Sequence, residues 1–271
     1  MHRKLSEERV RTMRVAIITI AGVSSRFNDG IPEEEKKHKA IYSEGTSKDT
    51  LLYHLLRKCS FADKIIVVGG YKYDEIKSYC EALPTDIRSK VHLIFNPHYK
   101  DLASGYSLYT AIKELESSAD QVEEVLFVEG DLDIDLASFK RIVNSPSNVL
   151  TYSYEPIFAN KAVVLYKDES EHYRYAFNSS HGLLTIDSPF SVILNSGQIW
   201  KFTDVSKLLS ANSDFFNNSK DGTNLKIIQN YIDLCDPSSF ELLGLSRWTN
   251  CNTREDYKKI KGYWEDEDED I

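Results

Sequence analysis

Four short runs dominate the first half of the chain: residues 14–20, 64–68, 91–95 and 124–128. Each is apolar at most positions and rich in β-branched residues, as in Val15-Ala16-Ile17-Ile18-Thr19-Ile20. A strand without a polar face must be covered on both sides, which is the pattern of a parallel sheet between two helical layers. Helical spacing fills the gaps, over 47–59 with Leu51, Leu52, Leu55 and Leu56 on one face, and over 73–83 and 104–116. Strand–helix–strand alternation predicts right-handed crossovers and an α/β fold, a mixed and mostly parallel central sheet with helices on both faces. Ligands of such sheets bind beyond the carboxyl ends of the strands. Polar motifs follow three of those ends: AGVSSR after the first run, NPHY after the third and EGDLD after the fourth.

The second half changes character. Strands are expected at 149–154, 161–166, 173–177 and 191–194, helices at 203–210 and 225–234, and a last helix at 253–261. No repeat or Pro/Gly-rich linker divides the chain, so one domain is expected over 1–262, in halves 13–145 and 146–262, followed by a solvated acidic tail at 263–271. With 33 Lys and Arg against 42 Asp and Glu, the net charge of -9 argues against a nucleic-acid partner. No apolar run approaches the roughly 18 residues of a membrane span, and MHRKLSEERVRTMR lacks the apolar core of a signal peptide. Cys59, Cys80, Cys235 and Cys251 have no zinc-site spacing and read as reduced thiols, which points to a cytoplasmic protein. The oligomeric state is open, a homodimer included.

Ala21-Gly22-Val23-Ser24-Ser25-Arg26 admits two readings, a tight turn or a phosphate cradle. Small residues let backbone N–H groups approach an anion, and an arginine adds a planar fork. The run is neither a Walker loop nor a dinucleotide fingerprint. Lys39 stands where the polar loop re-enters apolar sequence, whereas Lys36 and Lys37 read as a solvated basic run. An apolar strand delivers Glu129-Gly130-Asp131 to the sheet edge. Magnesium takes hard oxygen ligands, often one or two carboxylates plus substrate phosphates. Asp131 is the candidate ligand, with Asp133 as a helper or, like Asp135, a helix cap. In Trp248-Thr249-Asn250-Cys251-Asn252-Thr253-Arg254-Glu255-Asp256, Asn252 or Thr253 can cap the last helix. Asn252 can also complete a metal site if its strand lies beside the one ending at Asp131.

The ordered set resembles the nucleotidyltransferases of the sugar-nucleotide pyrophosphorylase superfamily over residues 13–262. It comprises AG-x-x-S-R-F, Lys39-Ala40, Gly70-Tyr71-Lys72, Asn96-Pro97-His98-Tyr99, Tyr106-Ser107-Leu108, Gly130-Asp131 and Asn252-Thr253. The pattern is most similar to the CTP:phosphocholine and aminoethylphosphonate cytidylyltransferases. That resemblance implies a Rossmann-like nucleotide-diphospho-sugar transferase fold and transfer of CMP from CTP to a small phosphorylated or phosphonate acceptor, with loss of pyrophosphate. Residues 21–26 and Gly70 would hold the nucleotide, with Ser107 near base and ribose. Arg26 and Lys39 would neutralise the leaving phosphates, and Asp131 with Asn252 would hold Mg2+. Asn195 resembles a substrate-side position, and Glu129, Asp133 and Glu155 are candidates to read an amine on the acceptor. Tyr152, Tyr154, Phe158, Tyr166, Tyr173, Tyr175 and Phe177 form either a quaternary-ammonium cage or core. Three positions depart from the family pattern: Ser24 replaces a glycine, His38 a proline, and Asn252 stands where many members have Asp. Serine at residue 24 is expected to serve provided that no positive φ is needed there. Two other functions fit parts of the pattern, a metal-dependent glycosyltransferase using Asp131-Leu132-Asp133 and a nucleotide-binding protein of the same fold with little catalysis.

Overall fold

The computed structural model describes residues 12–158, 163–177 and 184–267. In chain order the first half contains β1 (Met13–Ile20), α1 (Leu51–Lys58), β2 (Lys64–Gly69), α2 (Tyr73–Glu81), α3 (Thr85–Arg88), β3 (Val91–Phe95), α4 (Gly105–Lys113), β4 (Val122–Glu129), β5 (Leu132–Ile134) and α5 (Leu136–Asn144). The second half contains β6 (Asn148–Ser153), β7 (Val163–Asp168), β8 (Tyr173–Phe177), β9 (Phe190–Phe202), α6 (Val205–Asn218), α7 (Asn224–Asp233), β10 (Phe240–Leu245), β11 (Trp248–Asn250) and α8 (Arg254–Glu267).

Alternate residues of β1 enter two different cores, which is why the strand reads as apolar throughout. Val15 and Ile17 pack with α4, α6 and α7 on one face, and Ala16, Ile18 and Ile20 with α1, α2 and α5 on the other. The main sheet runs β10-β6-β9-β4-β1-β2-β3. β1 is parallel to β2 and β4, β2 to β3, and β10 to β6, whereas β9 runs antiparallel to both β4 and β6. Six strands therefore present their carboxyl ends at one edge, with β9 reversed among them.

Several features differ from the expectation, among them the short elements α3, β5 and α5, which were not expected, and α6, which runs on to Asn218. β9 runs 13 residues rather than four. Its polar run Asn195-Ser196-Gly197-Gln198 sits at a bulge, where pairing slips from Leu150–Trp200 to Tyr152–Ser196. β10 was not expected. α8 continues past 261 through Glu267, so the tail does not begin at 263, and residues 268–271 lie outside the described residues. The first two residues of the strand expected at 161–166 lie outside them as well.

A two-stranded antiparallel pair, β5 with β11, completes the carboxyl edge and opposes Asn250 to Leu132. Cys251 N donates to the Asp131 carbonyl at 2.7 Å. α8 begins with a reciprocal cap: Thr253 Oγ1 accepts from Asp256 N at 3.1 Å, and Asp256 Oδ2 accepts from Thr253 N at 2.8 Å. Asn252 is thereby fixed beside the end of β4.

Candidate active site

A cleft opens at the ends of β1 and β4. Ala21 and Gly22 line one wall, Glu129, Gly130 and Asp131 the floor, and Asn96, Tyr99, Ser104 and Ser107 the wall by α4. Lys39 Nζ reaches Asp131 Oδ2 at 2.7 Å across it. Asp131 Oδ1 is buried with no hydrogen-bond partner. Arg26 is exposed and donates to Asn252 Oδ1 at 2.7 Å. This second pair does not line the cleft itself but is joined to it through the backbone bond from Cys251 N to the Asp131 carbonyl. Four separate segments thus supply two cation–oxygen pairs. The strand before Asn252 pairs with β5 rather than with β4, and Asn252 is brought toward Asp131 by the Cys251 N bond to the Asp131 carbonyl.

The loop after β1 is built from inside. Ser24 has φ 54°, the left-handed region, so the condition under which serine was expected to replace glycine freely is not fulfilled. Local bonds offset the strain. The Ser24 carbonyl accepts from Asn28 N at 3.1 Å and Asn28 Nδ2 at 3.1 Å, and its Oγ accepts from Lys39 N at 3.3 Å. Asn28 also ties to Lys37 through N (3.0 Å) and O (2.8 Å), closing the acidic excursion at 29–36. Phe27 packs edge-on against Tyr42 in a third small core with Tyr257 and Trp264 of α8. Val23 and Ser25 are exposed and do not line the cleft.

His38 holds Lys39 in place. Its Nε2 meets the Ile20 carbonyl at 2.7 Å and its Nδ1 accepts from Ala40 N at 3.2 Å. Both contacts are satisfied by the neutral ring protonated on Nε2. Burial pushes its pKa down to about 4, with the bond to Ile20 opposing. His38 thus pins the backbone before Lys39 by two hydrogen bonds. Lys36 pairs with Glu33 at 2.6 Å, so Lys39 is the lysine that reaches Asp131.

Gly70, Asn195 and Asp133 lie elsewhere as well. Gly70 does not line the cleft; a Cβ there would stand 2.6 Å from Tyr99 Cβ and 2.8 Å from the Ala21 carbonyl, so the glycine permits close packing behind the loop. Asn195 donates to Ser153 Oγ at 3.0 Å between β9 and β6, away from the cleft. Asp133 is 1% exposed and faces inward. Lys58 Nζ (3.3 Å) and Trp264 Nε1 (3.0 Å) meet its Oδ1, and Arg247 meets its Oδ2 at 3.0 Å. Residues two apart on one strand would share a face, but Asp131 lies in the turn between β4 and β5 and Asp133 on β5 itself. Asp131 therefore opens to the cleft, Asp133 points into the protein, and the two do not form a shared D-x-D metal site. The helix cap is Asp135, whose Oδ1 accepts from Ser138 N at 2.7 Å.

Ser107 is buried on the cleft wall, its Oγ accepting from Asn96 Nδ2 at 2.9 Å. Glu129 is held by two residues the sequence did not single out. Asn224 Nδ2 donates to its Oε1 at 2.7 Å and Gln198 Nε2 to its Oε2 at 3.1 Å. Burial first, then the Asp131 charge, push the Glu129 carboxyl up to about 7, against the Asn224 bond and Lys39. Gln198 carries φ 56° at the β9 bulge, a local outlier that only the structure exposes. Glu155 is exposed by a second depression lined by Arg247, Trp248 and Tyr263. The aromatic group splits: Tyr173 is buried, Tyr175 bonds Trp200 Nε1 at 2.7 Å, and Tyr154 and Phe158 are exposed. They do not form one cage. All four cysteines are free and buried. Burial pushes the Cys251 thiol up to about 12, so it is no nucleophile near neutral pH.

A divalent cation fits the donor set in part. Asp131 offers one carboxylate with an unpartnered buried oxygen, and Asn252 an amide oxygen. No cluster of three or more His, Cys, Asp or Glu side chains suited to a metal occurs among the described residues. Magnesium sites of this kind leave the remaining positions to water and substrate phosphate.

Comparison with solved structures defines the fold. The CTP:phosphocholine cytidylyltransferase of Streptococcus pneumoniae is 18% identical, with TM-score 0.62, over 93% of this chain and 99% of that one. The inositol-1-phosphate CTP transferase of T. maritima is 15% identical, with TM-score 0.63, over 92% and 95%. A UDP-glucose pyrophosphorylase complexed with UDP-glucose is 10% identical, with TM-score 0.64, over 94% and 100%. The chain therefore has the nucleotidyltransferase fold. Residues 35–264 match the family described as Domain of unknown function (DUF6564), and the chain belongs to that family. No curated protein matches its sequence. No helix among the described residues is long and apolar enough to cross a membrane.

Proposed function

We propose that the protein is a Mg2+-dependent nucleotidyltransferase that moves CMP from CTP to a small phosphorylated or phosphonate acceptor and releases pyrophosphate. The observation that carries this reading is the meeting of Lys39 with Asp131 and of Arg26 with Asn252 at one sheet edge. Two cations and two oxygen ligands converge there, beside a glycine-containing loop. The fold and its neighbours agree with the reading. Residues 13–145 would hold the nucleotide and 146–262 the acceptor, in one unit.

Backbone N–H groups of the loop after β1 would cradle phosphate, with Arg26 and Lys39 neutralising the charge that accumulates on departing pyrophosphate. Asp131 and Asn252 would hold the metal, which when bound polarises the α-phosphate and screens it from the anionic acceptor. An acceptor phosphate is already ionised, so no general base is required, consistent with a cleft that has no exposed thiol or charged histidine. Ser107, backed by Asn96, would meet the ribose or base. Glu129, braced by Asn224 and Gln198, would accept a hydrogen bond from a donor group on nucleotide or acceptor. The four free thiols agree with a reducing compartment such as the cytoplasm.

The test is pyrophosphate release with each of the four ribonucleoside triphosphates, Mg2+ and a panel of phosphocholine, aminoethylphosphonate and sugar 1-phosphates. Release with CTP and one acceptor class is expected. Transfer from a sugar nucleotide with no pyrophosphate from any pair would overturn the reading.

A further inference from the structure

Each proposed metal ligand is paired with a cation proposed to meet phosphate. Lys39 Nζ sits on Asp131 Oδ2, and Arg26 sits on Asn252 Oδ1. Both Lys39 and Asp131 side chains are largely buried, at 17% and 23% exposure, so water screens their pairing only in part. A carboxylate neutralised in this way offers a bare divalent ion little to offset the loss of its own tightly held waters.

We propose that Lys39 and Arg26 are built-in counter-ions that close the metal site, so that the protein takes up its divalent cation only together with a polyphosphate. This rests on the proposed function for the identity of the polyphosphate, though not for the closure itself. A triphosphate competes for both cations with several negative charges. Lys39 can yield by its side chain alone, because its backbone is pinned by Ser24 Oγ and flanked by the His38 contacts to Ile20 and Ala40. Its ammonium on a flexible stem moves from carboxylate to phosphate. Asp131 Oδ2 then joins Oδ1, buried and unpartnered, as an open ligand. The exposed Arg26 releases Asn252 Oδ1 in the same way. Coupling of this kind is reciprocal: whatever the polyphosphate adds to cation affinity, the cation adds to polyphosphate affinity.

Mn2+ is the probe, followed by electron paramagnetic resonance of the free ion. Wild-type protein is expected to bind Mn2+ weakly alone and at least about tenfold more tightly with CTP or inorganic tripolyphosphate, within the range of ordinary site coupling. Lys39→Met, which keeps the stem and removes the charge, should raise affinity for Mn2+ alone by about tenfold and shrink the coupling. Lys39→Arg keeps a cation and should remain closed, and Asp131→Asn in the Lys39→Met background should abolish the gain. Melting curves establish that each variant is folded, with Lys39→Gln replacing Lys39→Met should the latter fail. Equal Mn2+ affinity for wild type and both uncharged variants overturns the proposal. So does wild-type affinity unaffected by tripolyphosphate. If tripolyphosphate couples and CTP does not, the counter-ion role is supported and the nucleotide reading falls.

Discussion

Replacing Asp133 separates structural from metal-binding roles for the second acidic residue after β4. The side chain is 1% exposed and serves Lys58, Arg247 and the Trp264 indole together, tying α1, the turn before β11 and α8 to β5. Lys58 also donates to the Ile134 carbonyl. Removing one partner of a buried ion pair costs about 3–5 kcal/mol. Asp133→Asn keeps the shape and one acceptor, so it belongs near about 3 kcal/mol, and Asp133→Ala toward about 5 kcal/mol. For a chain of this size each kcal/mol lowers Tm by roughly 2–4 °C, so Asp133→Asn should lose about 6–12 °C. Asp131→Asn removes the charge of a largely but not fully buried pair with Lys39 and keeps one acceptor, so it should cost less than Asp133→Asn, about 1–2 kcal/mol. Urea denaturation and calorimetric melting give both numbers, and Mn2+ titration with CTP gives the metal affinity of each folded variant. Asp133→Asn should be unstable and still bind metal with nucleotide, whereas Asp131→Asn should be the more stable and fail to bind it. Full stability with lost metal affinity at Asp133 would refute the assignment and restore the D-x-D reading.

Other consequences concern the loop and the floor of the cleft. His38 is held neutral with a folded pKa near 4, so the unfolded chain binds the extra proton first as pH falls below 6.5. Its contribution is present above about 6.5 and is lost between 6.5 and 4, up to about 3 kcal/mol. Glu129, pushed up to about 7, acts with the opposite sign, losing stability as pH rises through that value. The difference between wild type and His38→Asn in urea midpoints across that range isolates the histidine; an unchanged pH profile would contradict the buried neutral ring. Ser24→Gly relieves the φ of 54° and loses the acceptor for Lys39 N, a net change within about 1 kcal/mol, while Ser24→Val should cost about 2 kcal/mol or more by thermal melting. At Gly130 a Cβ would stand 2.2 Å from Ile20 Cγ2 and 2.7 Å from the Thr19 carbonyl, so Gly130→Ala should cost about 1–3 kcal/mol and weaken nucleotide binding by displacing Asp131; an unaffected Tm would show that β1 and β4 can part there.

The strands that carry the site were legible because they are buried twice over. β1 and β4 alternate between two cores and have no polar face to confuse their period, and Asp131 stands out as the first acid beyond such a strand that faces the cleft. β10 was missed because Gly244 and the Pro237-Ser238-Ser239 turn break a short pattern that only pairing with β6 rescues. Asp133 was misread for a different reason. Its partners come from positions 58, 247 and 264, and no local spacing announces a contact of that range. Gln198 and Asn224 carry no local signal at all, since an amide becomes a brace for Glu129 only where a bulge in β9 and the start of α7 converge.

The central claim is that this cleft transfers a nucleoside monophosphate, and label transfer tests it most directly. Protein, Mg2+ and α-phosphate-labelled CTP are incubated with the acceptor that supports pyrophosphate release. The expected result is label moving to the acceptor in equal amount to pyrophosphate, and lost in Asp131→Asn. Label recovered as free CMP, or transfer that persists without the Asp131 carboxylate, would contradict the account.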